Sequence, residues 1–441
     1  MTFPSLGDAL AWLDGHQNLE RMLATSPELR KAPDLERMRL LMDALGNPEA
    51  TSPVVHVTGT NGKTSTARCI ATIFASVGLR VGMFTSPHLE SISERISVDG
   101  QPIDDESLIE VLSTLAGVEG LLAPPEGFTW FELVTAAGFI YFSDRPVDVM
   151  VLEVGMGGRW DATNVADASV AVVTNVGLDH LEFLGPTRQH VAREKAGVVK
   201  AGSTLVLGET EPTLTAIFEA QGPEAIWLAG REWDCEGNDA GEEGRILDLR
   251  TPYATYEQVH LGLHGSHQGR NFAAALSAVE AFFGRPIGDK LVRAAAATVS
   301  SPGRMEVVAS NPLVVLDGAK NLEGATAAGR ALLEEFTAQS SIIMVVGMLV
   351  GKDPREMLSA LGAQRARLVI ACPAPSPRAQ PAEEIAQAAR SLGCTALTAD
   401  GVAEAIEEAS NAAGPDDLIF VTGSLYVVGS ARAILAARRQ A

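Results

Sequence analysis

Residues 54–66 read Val-Val-His-Val-Thr-Gly-Thr-Asn-Gly-Lys-Thr-Ser-Thr. Strand-forming residues (Val54–Val57) run into a turn holding Gly59 and Gly62, followed by Lys63 and the hydroxyls of Thr64, Ser65 and Thr66. Ala67, Ile70, Ala71, Phe74 and Val77 then recur with helical spacing. This order makes a phosphate cradle. Glycines let backbone N–H groups close on an anion, the helix N-terminus adds positive potential, the lysine supplies a point charge and a hydroxyl can ligate Mg²⁺. The pattern predicts a bound nucleoside triphosphate. It departs from the common loop at Val57, where that loop has its first glycine. Gly-x-x-Gly-Lys alone is a weak signal, shared with ordinary βα turns that carry a surface lysine. Its place between a strand and a helix strengthens it.

Ser86, Glu153 and the Asp179-His180 pair stand just after other apolar runs. Mg²⁺ prefers oxygen ligands and keeps several waters, which Ser86 and Glu153 suit, with His180 a less usual ligand. Taken singly, Glu153 reads equally as a carboxylate capping a neighbouring helix, and His180 as a structural histidine. Arg193-Glu194-Lys195-Ala196-Gly197 reads as a helix end with a terminal glycine. His264, His267 and Gln268, just before Asn271, are read as caps at a helix entry or as groups facing a base edge.

These residues need a scaffold. Expected strands are Val54–Val57, Arg80–Phe84, Val147–Val154 and Ser169–Val176, with helical patterns up to Gly78, around Leu108–Leu115 and over Phe131–Phe142. Near-continuous apolar strands alternating with helices predict a mostly parallel sheet covered on both faces. The chemistry-bearing residues fall at strand C-terminal ends, the edge where open α/β sheets bind ligands. Short strands are expected at Thr204–Leu207, Ala225–Leu228 and Val259–Leu263. Glu236–Gly244 reads as an exposed loop, and helices are expected over Asn271–Phe283 and Gly288–Thr298. Turn residues at Ser300–Arg304 mark a domain boundary. The alternation then restarts with strands at Leu313–Leu316, Ile342–Val346, Arg367–Ala371 and Asp417–Val421.

The chain has 441 residues, enough for two or three domains. With 34 basic and 55 acidic residues its net charge is −21, which argues against a nucleic-acid partner. Cys69, Cys235, Cys372 and Cys394 form no Cys-x-x-Cys pair, so neither a zinc nor a redox motif is expected. The first residues lack a basic stretch followed by an apolar one, and no run of about 18 apolar residues occurs. The expectation is a cytoplasmic protein with no membrane partner.

Together the motifs are specific. Asn18–Met22, Thr58–Lys63, Thr85–Leu89 with Glu94-Arg95-Ile96, Leu152–Asn164, Gly177–His180, Arg193–Gly197, Pro302–Arg304, Leu316–Ala319, Gly347-Met348 with Lys352-Asp353, and Thr422–Tyr426 span the chain in order. The chain resembles the folylpolyglutamate synthase/dihydrofolate synthase family of the Mur ligase group. The resemblance implies an α/β fold: an N-terminal P-loop ATPase domain with a mostly parallel sheet over 1–299, and a smaller Rossmann-like C-terminal α/β domain over 300–441 that binds glutamate and completes the ATP site. It implies ATP and Mg²⁺. Gly59, Thr60, Asn61, Gly62, Lys63, Thr64 and Ser65 would hold the phosphates, Asn271 and Arg304 would contact ATP, and Asp317 its ribose. Ser86, Glu153 and His180 would ligate Mg²⁺. Lys195 is similar to the family's carbamylated lysine, which helps hold a second Mg²⁺. Leu19, Glu20, Arg21, Thr129, Phe131, Glu132, Trp160, Asp161 and Ala162 would bind the pterin-containing substrate, and Ser424 the incoming glutamate. Small-molecule partners are a reduced folate or dihydropteroate and L-glutamate, and the protein is expected to act as a monomer.

Two positions depart from the family. Thr64 follows Lys63 where glycine is usual, a change common in the wider Mur group. Lys320 replaces a histidine in Asp317-Gly318-Ala319-Lys320-Asn321, keeping positive charge but in another shape. The implied reaction activates a substrate carboxylate as an acyl phosphate, which the glutamate amine attacks. Lys63, Mg²⁺ and Arg304 would stabilise charge, with no side-chain nucleophile. Two alternatives are a Mur-type ligase of a cell-wall nucleotide precursor and a nucleotide-binding regulator without ligase activity.

Overall fold

The structure, a computed structural model, describes residues 2–18, 20, 35–124 and 126–440. Leu19 and Arg21 lie outside the described residues. By contacts the chain forms two compact units. One holds Met1–Gly237, Leu247–Val259 and Arg270–Val299, and the other Asn238–Ile246, His260–Gly269 and Ser300–Ala441.

The first unit is built on eight strands: β1 Val54–Thr58, β2 Val81–Phe84, β3 Ile96–Val98, β4 Gln101–Pro102, β5 Val149–Glu153, β6 Ala168–Val173, β7 Thr204–Leu207 and β8 Ala225–Leu228. Their order is β4-β3-β2-β5-β1-β6-β7-β8. From β2 to β8 every pair is parallel; β3 and β4 add an antiparallel edge. Helices α1 Leu6–Asp14, α2 Glu36–Ala44, α3 Lys63–Ser76, α4 Asp105–Leu122, α5 Trp130–Asp144, α6 Leu181–Leu184, α7 Arg188–Ala196 and α8 Pro212–Glu219 intersperse the strands. Met150 and Leu152 of β5 share a core with Leu133, Phe139 and Phe142 of α5 and Leu112 of α4. Val154 joins a second core with Val173, Leu205, Leu207 and Phe218. Burial on both faces explains the unbroken apolar runs.

Β-strands β9 Asp234–Gly241, β10 Gly244–Arg250 and β11 Thr255–Leu261 form a separate sheet in the order β11-β10-β9. This corrects the loop expected at 236–244, which is largely an edge strand. Its polar, glycine-rich sequence hides the period-two pattern that its partner β10 displays in buried Leu247 and Leu249. Gly237 permits close approach, since a Cβ there would lie 2.4 Å from Asp248 Oδ2. Helices α9 Ser266–Phe283 and α10 Asp289–Thr298 follow. The start of α9 at Ser266 puts His267 and Gln268 inside a helix, rather than ahead of one.

The last sheet contains β12 Glu306–Ser310, β13 Leu313–Asp317, β14 Ile342–Val346, β15 Ala366–Ala371, β16 Ala396–Thr398 and β17 Leu418–Thr422, ordered β12-β13-β17-β14-β15-β16. Only β12, a strand not expected from the sequence, pairs antiparallel. Its helices are α11 Leu322–Glu335, α12 Pro354–Leu361, α13 Ala382–Ser391, α14 Val402–Ala412 and α15 Leu425–Gln440. Helices α1 and α2 were also unexpected. Cys69 and Cys372 are buried, which pushes each thiol up to about 12. Among the described residues no helix is long and apolar enough to cross a membrane.

Candidate nucleotide and acid-substrate site

The glycine loop expected to cradle phosphate joins β1 to α3. Gly59 has φ +154°, and a Cβ there would fall 1.8 Å from Thr174 Oγ1. Gly62 caps α3 at φ +82°, and its Cβ would meet Asn271 Oδ1 at 2.5 Å, so the structure brings Asn271 against the loop. Lys63 Nζ donates to Gly59 O at 3.0 Å, which folds the ammonium back over the turn. The loop is pinned from outside by the residues after β6. Thr60 N donates to Asn175 O, Asn61 N donates to Asn175 Oδ1, and both Thr174 Oγ1 and Asn175 Nδ2 donate to Asn61 O. Thr174 and Asn175 escaped the sequence reading because an apolar strand was carried through them to Val176. Their polarity was the available signal.

Glu153, the last residue of β5, is buried. Its Oε1 accepts from the Thr64 hydroxyl at 2.8 Å and its Oε2 from Ser86 N at 3.1 Å. The register of parallel β1 and β5 pairs Val57 with Glu153, which sets the carboxylate at the mouth of the loop. The oxygen-rich group of Thr64, Ser86 and Glu153 matches what magnesium prefers beside phosphate. His180, at the head of α6, has left-handed backbone (φ 53°) and sets Nε2 3.6 Å from Asp179 Oδ2. Lys195 is buried in the last turn of α7. Among the described residues no group of three or more His, Cys, Asp and Glu side chains could hold a metal ion.

The glycines of 155–159 serve packing. A Cβ on Gly158 would lie 2.8 Å from Glu194 O, and one on Gly197 would lie 2.4 Å from Arg159 Cα. Asn164 Nδ2 donates to both Arg159 O and Gly197 O. The segment after β5 and the end of α7 that carries Lys195 therefore form one unit. Within it Asp161 is buried and accepts from Met156 N at 3.0 Å, Thr163 N at 3.1 Å and Thr163 Oγ1 at 2.6 Å. Burial pushes its carboxyl up against the pull of these donors. Thr163 gives its proton to Asp161, so it accepts the Nε2–H of His56 at 2.8 Å. His56, wholly buried in β1, is neutral, its pKa driven down to about 3 by burial with Lys200 adding to the effect.

Thr129 and Glu132 form a capping box at the start of α5. Thr129 N donates to Glu132 Oε2 at 2.7 Å, and Glu132 N to Thr129 Oγ1 at 3.2 Å. Arg37 also donates to Glu132 Oε1. The Glu132 carboxylate is thus engaged by the protein. Phe131 is half-buried, packs edge-on to Phe84 and fills the space beside Gly155, whose Cβ would meet it at 2.5 Å. Trp160 is half-buried and Ala162 buried. Glu20 is held by Arg95, a residue that sequence reasoning noted only within a motif.

In the second unit Asp317 ends β13. Its Oδ2 accepts from Met305 N and its Oδ1 from Ala319 N, both at 2.9 Å. Burial raises its pKa to about 6 despite Arg304. Arg304 reaches the same corner, since a Cβ on Gly318 would fall 2.5 Å from its Nη1. Lys320 is exposed, one residue before Asn321, the N-cap of α11. Ser424, buried after β17, accepts from Tyr426 N at 3.1 Å. His264 Nδ1 lies 2.9 Å from Glu335 Oε2, and burial drives His267 down to about 4.

Residues 57–279 match the Mur ligase middle domain, and residues 303–425 the Mur ligase, glutamate ligase domain. A dihydrofolate synthase/folylpolyglutamate synthase of Mycobacterium tuberculosis is 37% identical over 92% of this chain and 91% of its own length. The chain belongs to the folylpolyglutamate synthase/dihydrofolate synthase family. The M. tuberculosis folylpolyglutamate synthase complexed with ADP superposes with a TM-score of 0.88 at 35% identity, covering 98% of each chain. Escherichia coli FolC in complex with DHPP and ADP superposes at 0.86 with 31% identity, covering 99% of this chain and 100% of that one. Placement in this folate family sets aside the cell-wall alternative.

Proposed function

We propose that this member of the folylpolyglutamate synthase/dihydrofolate synthase family is an ATP-dependent ligase that joins L-glutamate to a folate, using Mg²⁺. The observation that carries the reading is the Glu153 carboxylate tied to Thr64 and Ser86 beside the glycine loop of Lys63. The ADP and DHPP named with the structural relatives support nucleotide and pterin-type occupants here.

A carboxylate is a poor electrophile. Its oxygen attacks the γ-phosphorus of ATP, the bond to the β-phosphate oxygen breaks, and ADP leaves. The glutamate amine then attacks the acyl carbon, loses a proton, and phosphate departs as the amide forms. The phosphate cradle is Gly59 to Ser65. Lys63 and Arg304 oppose charge on the transferring group, Asn271 contacts ATP and Asp317 its ribose. Ser86, Glu153 and His180 would hold magnesium, with Lys195, as its carbamate, supporting a second ion. A bound magnesium would offset charge growing on the phosphoryl oxygens. The segment 19–21, Thr129, Phe131, Glu132 and Trp160–Ala162 form the folate side, while Ser424 and Lys320 in the 300–441 domain receive glutamate. The protein acts as a cytoplasmic monomer.

The test offers purified protein ATP, Mg²⁺ and glutamate with either tetrahydrofolate or dihydropteroate, and sizes the products by mass spectrometry. Addition of one or more glutamyl units supports the reading. ¹⁸O moving from the substrate carboxylate into released phosphate supports the acyl phosphate. ATP hydrolysis that ignores both acids would overturn it.

A further inference from the structure

Arg95 ends a 3₁₀ turn, Ile92–Arg95, and is 1% exposed. A guanidinium out of water is costly unless its donors are matched. Here every nitrogen is used. Nη1 and Nη2 donate to the two carboxylate oxygens of Glu20 at 3.0 and 2.7 Å, Nε donates to His88 Nδ1 at 2.8 Å, and Cζ lies 4.7 Å from the ring centroid of Trp130. The turn that carries it is fixed in its own right, because Glu94 accepts the backbone N–H groups of Leu89, Glu90 and Ser91. Trp130 is fixed too. Its indole donates to Asp14 Oδ1 at 3.1 Å and its backbone N to Gln17 O at 3.0 Å.

Each partner belongs to a different segment of the proposed site. Glu20 is itself assigned to the folate side, Trp130 sits between Thr129 and Phe131, and His88 follows Ser86-Pro87. Arg95 also reaches the metal side through its backbone, whose carbonyl accepts Thr85 N at 2.9 Å, one residue before Ser86. We infer that Arg95 is the positioning residue of the folate side, holding Glu20, the head of α5 and the Ser86 turn in one arrangement, and that Glu20 acts through Arg95 instead of through substrate. The inference rests on the folate reading. Its planar fork makes Arg95 irreplaceable by lysine, which carries the charge without two parallel donors and a third in the same plane.

The experiment measures KM for folate, ATP and L-glutamate, with kcat and Tm, for wild type, Arg95→Lys, Glu20→Gln and the double variant. Losing a charge-assisted pair raises folate KM by about tenfold or more in each single variant. KM for ATP and glutamate stays within about twofold, because the bond from Thr85 N to the Arg95 backbone carbonyl, which ties the Ser86 turn, survives both substitutions. The double variant is no worse than the weaker single one, since both break one pair. Glu20 is partly exposed, so Glu20→Gln keeps the test open if Arg95→Lys folds poorly. Unchanged folate KM in folded variants, or equal rises in all three KM values, overturns the inference alone. Wild-type protein that glutamylates no folate overturns the functional reading and this inference with it.

Discussion

The Thr64 hydroxyl and the Ser86 backbone N–H meet on opposite oxygens of the Glu153 carboxylate, at 2.8 and 3.1 Å. One side chain thus joins the turns after three neighbouring strands, β1, β5 and β2. Glu153→Gln replaces one acceptor by a donor that faces a donor. The expected result is turnover lowered by about 100-fold and a higher Mg²⁺ concentration for half-maximal rate. An unaltered Mg²⁺ titration would remove Glu153 from the metal site.

Lys63→Ala deletes the charge over the loop and, with it, the Nζ bonds to the Gly59 and Thr60 carbonyls within the turn. Single-turnover formation of ADP should slow by about 100-fold or more, with an unchanged circular dichroism spectrum. Normal turnover would end the phosphate-loop interpretation.

Gly59→Ala drives a methyl into Thr174, the residue that holds Asn61. Overpacking of this kind costs about 1–3 kcal/mol and should raise the KM for ATP. Adding Thr174→Ala removes the nearest atom and should recover part of the lost Tm. No recovery would show that the backbone alone resists the change.

Asp317 titrates near 6 when folded, against 3.8 for an ordinary aspartate. A raised carboxyl contributes stability below its unfolded value, and that contribution is lost as pH rises through the folded one. Ligand binding runs the other way, because the charged acceptor proposed for the ribose exists only above pH 6. KM for ATP should therefore climb as pH falls from 7 to 5, and Asp317→Asn should flatten that climb. A slope unchanged in the variant would assign it to another group.

His56 is depressed to about 3 and His267 to about 4, both by burial. Unfolded, each binds a proton near 6.5, so the unfolded state gains protons first as pH falls. Their contribution is intact above pH 6.5 and drains away toward pH 4. His56→Gln keeps a donor toward Thr163 without this titration. Its Tm should fall less steeply than that of wild type between pH 6.5 and 4, read by thermal scans across that range.

The strand–turn–helix of the phosphate loop was readable because its cause is local. Gly59, Gly62 and Lys63 lie within five positions, and their order fixes which N–H groups and which charge face one point. The parallel sheet followed equally from runs such as Val149–Glu153, whose apolarity on both faces admits few other environments. The strand at 234–241 was misread because its own residues are polar and only pairing with β10 makes it a strand. Arg95 and Glu20 stand 75 positions apart, and His56 and Thr163 stand 107 apart. Nothing in composition or spacing couples such residues. Burial decides it, because a guanidinium or imidazole taken from water must find its partner wherever packing has put one. Sequence alone therefore determined the strand–turn–helix around Lys63, the main parallel strands and which polar residues stand at their ends. Tertiary structure alone decided which carboxylates are spent holding the protein together, because that choice belongs to residues brought close only by folding.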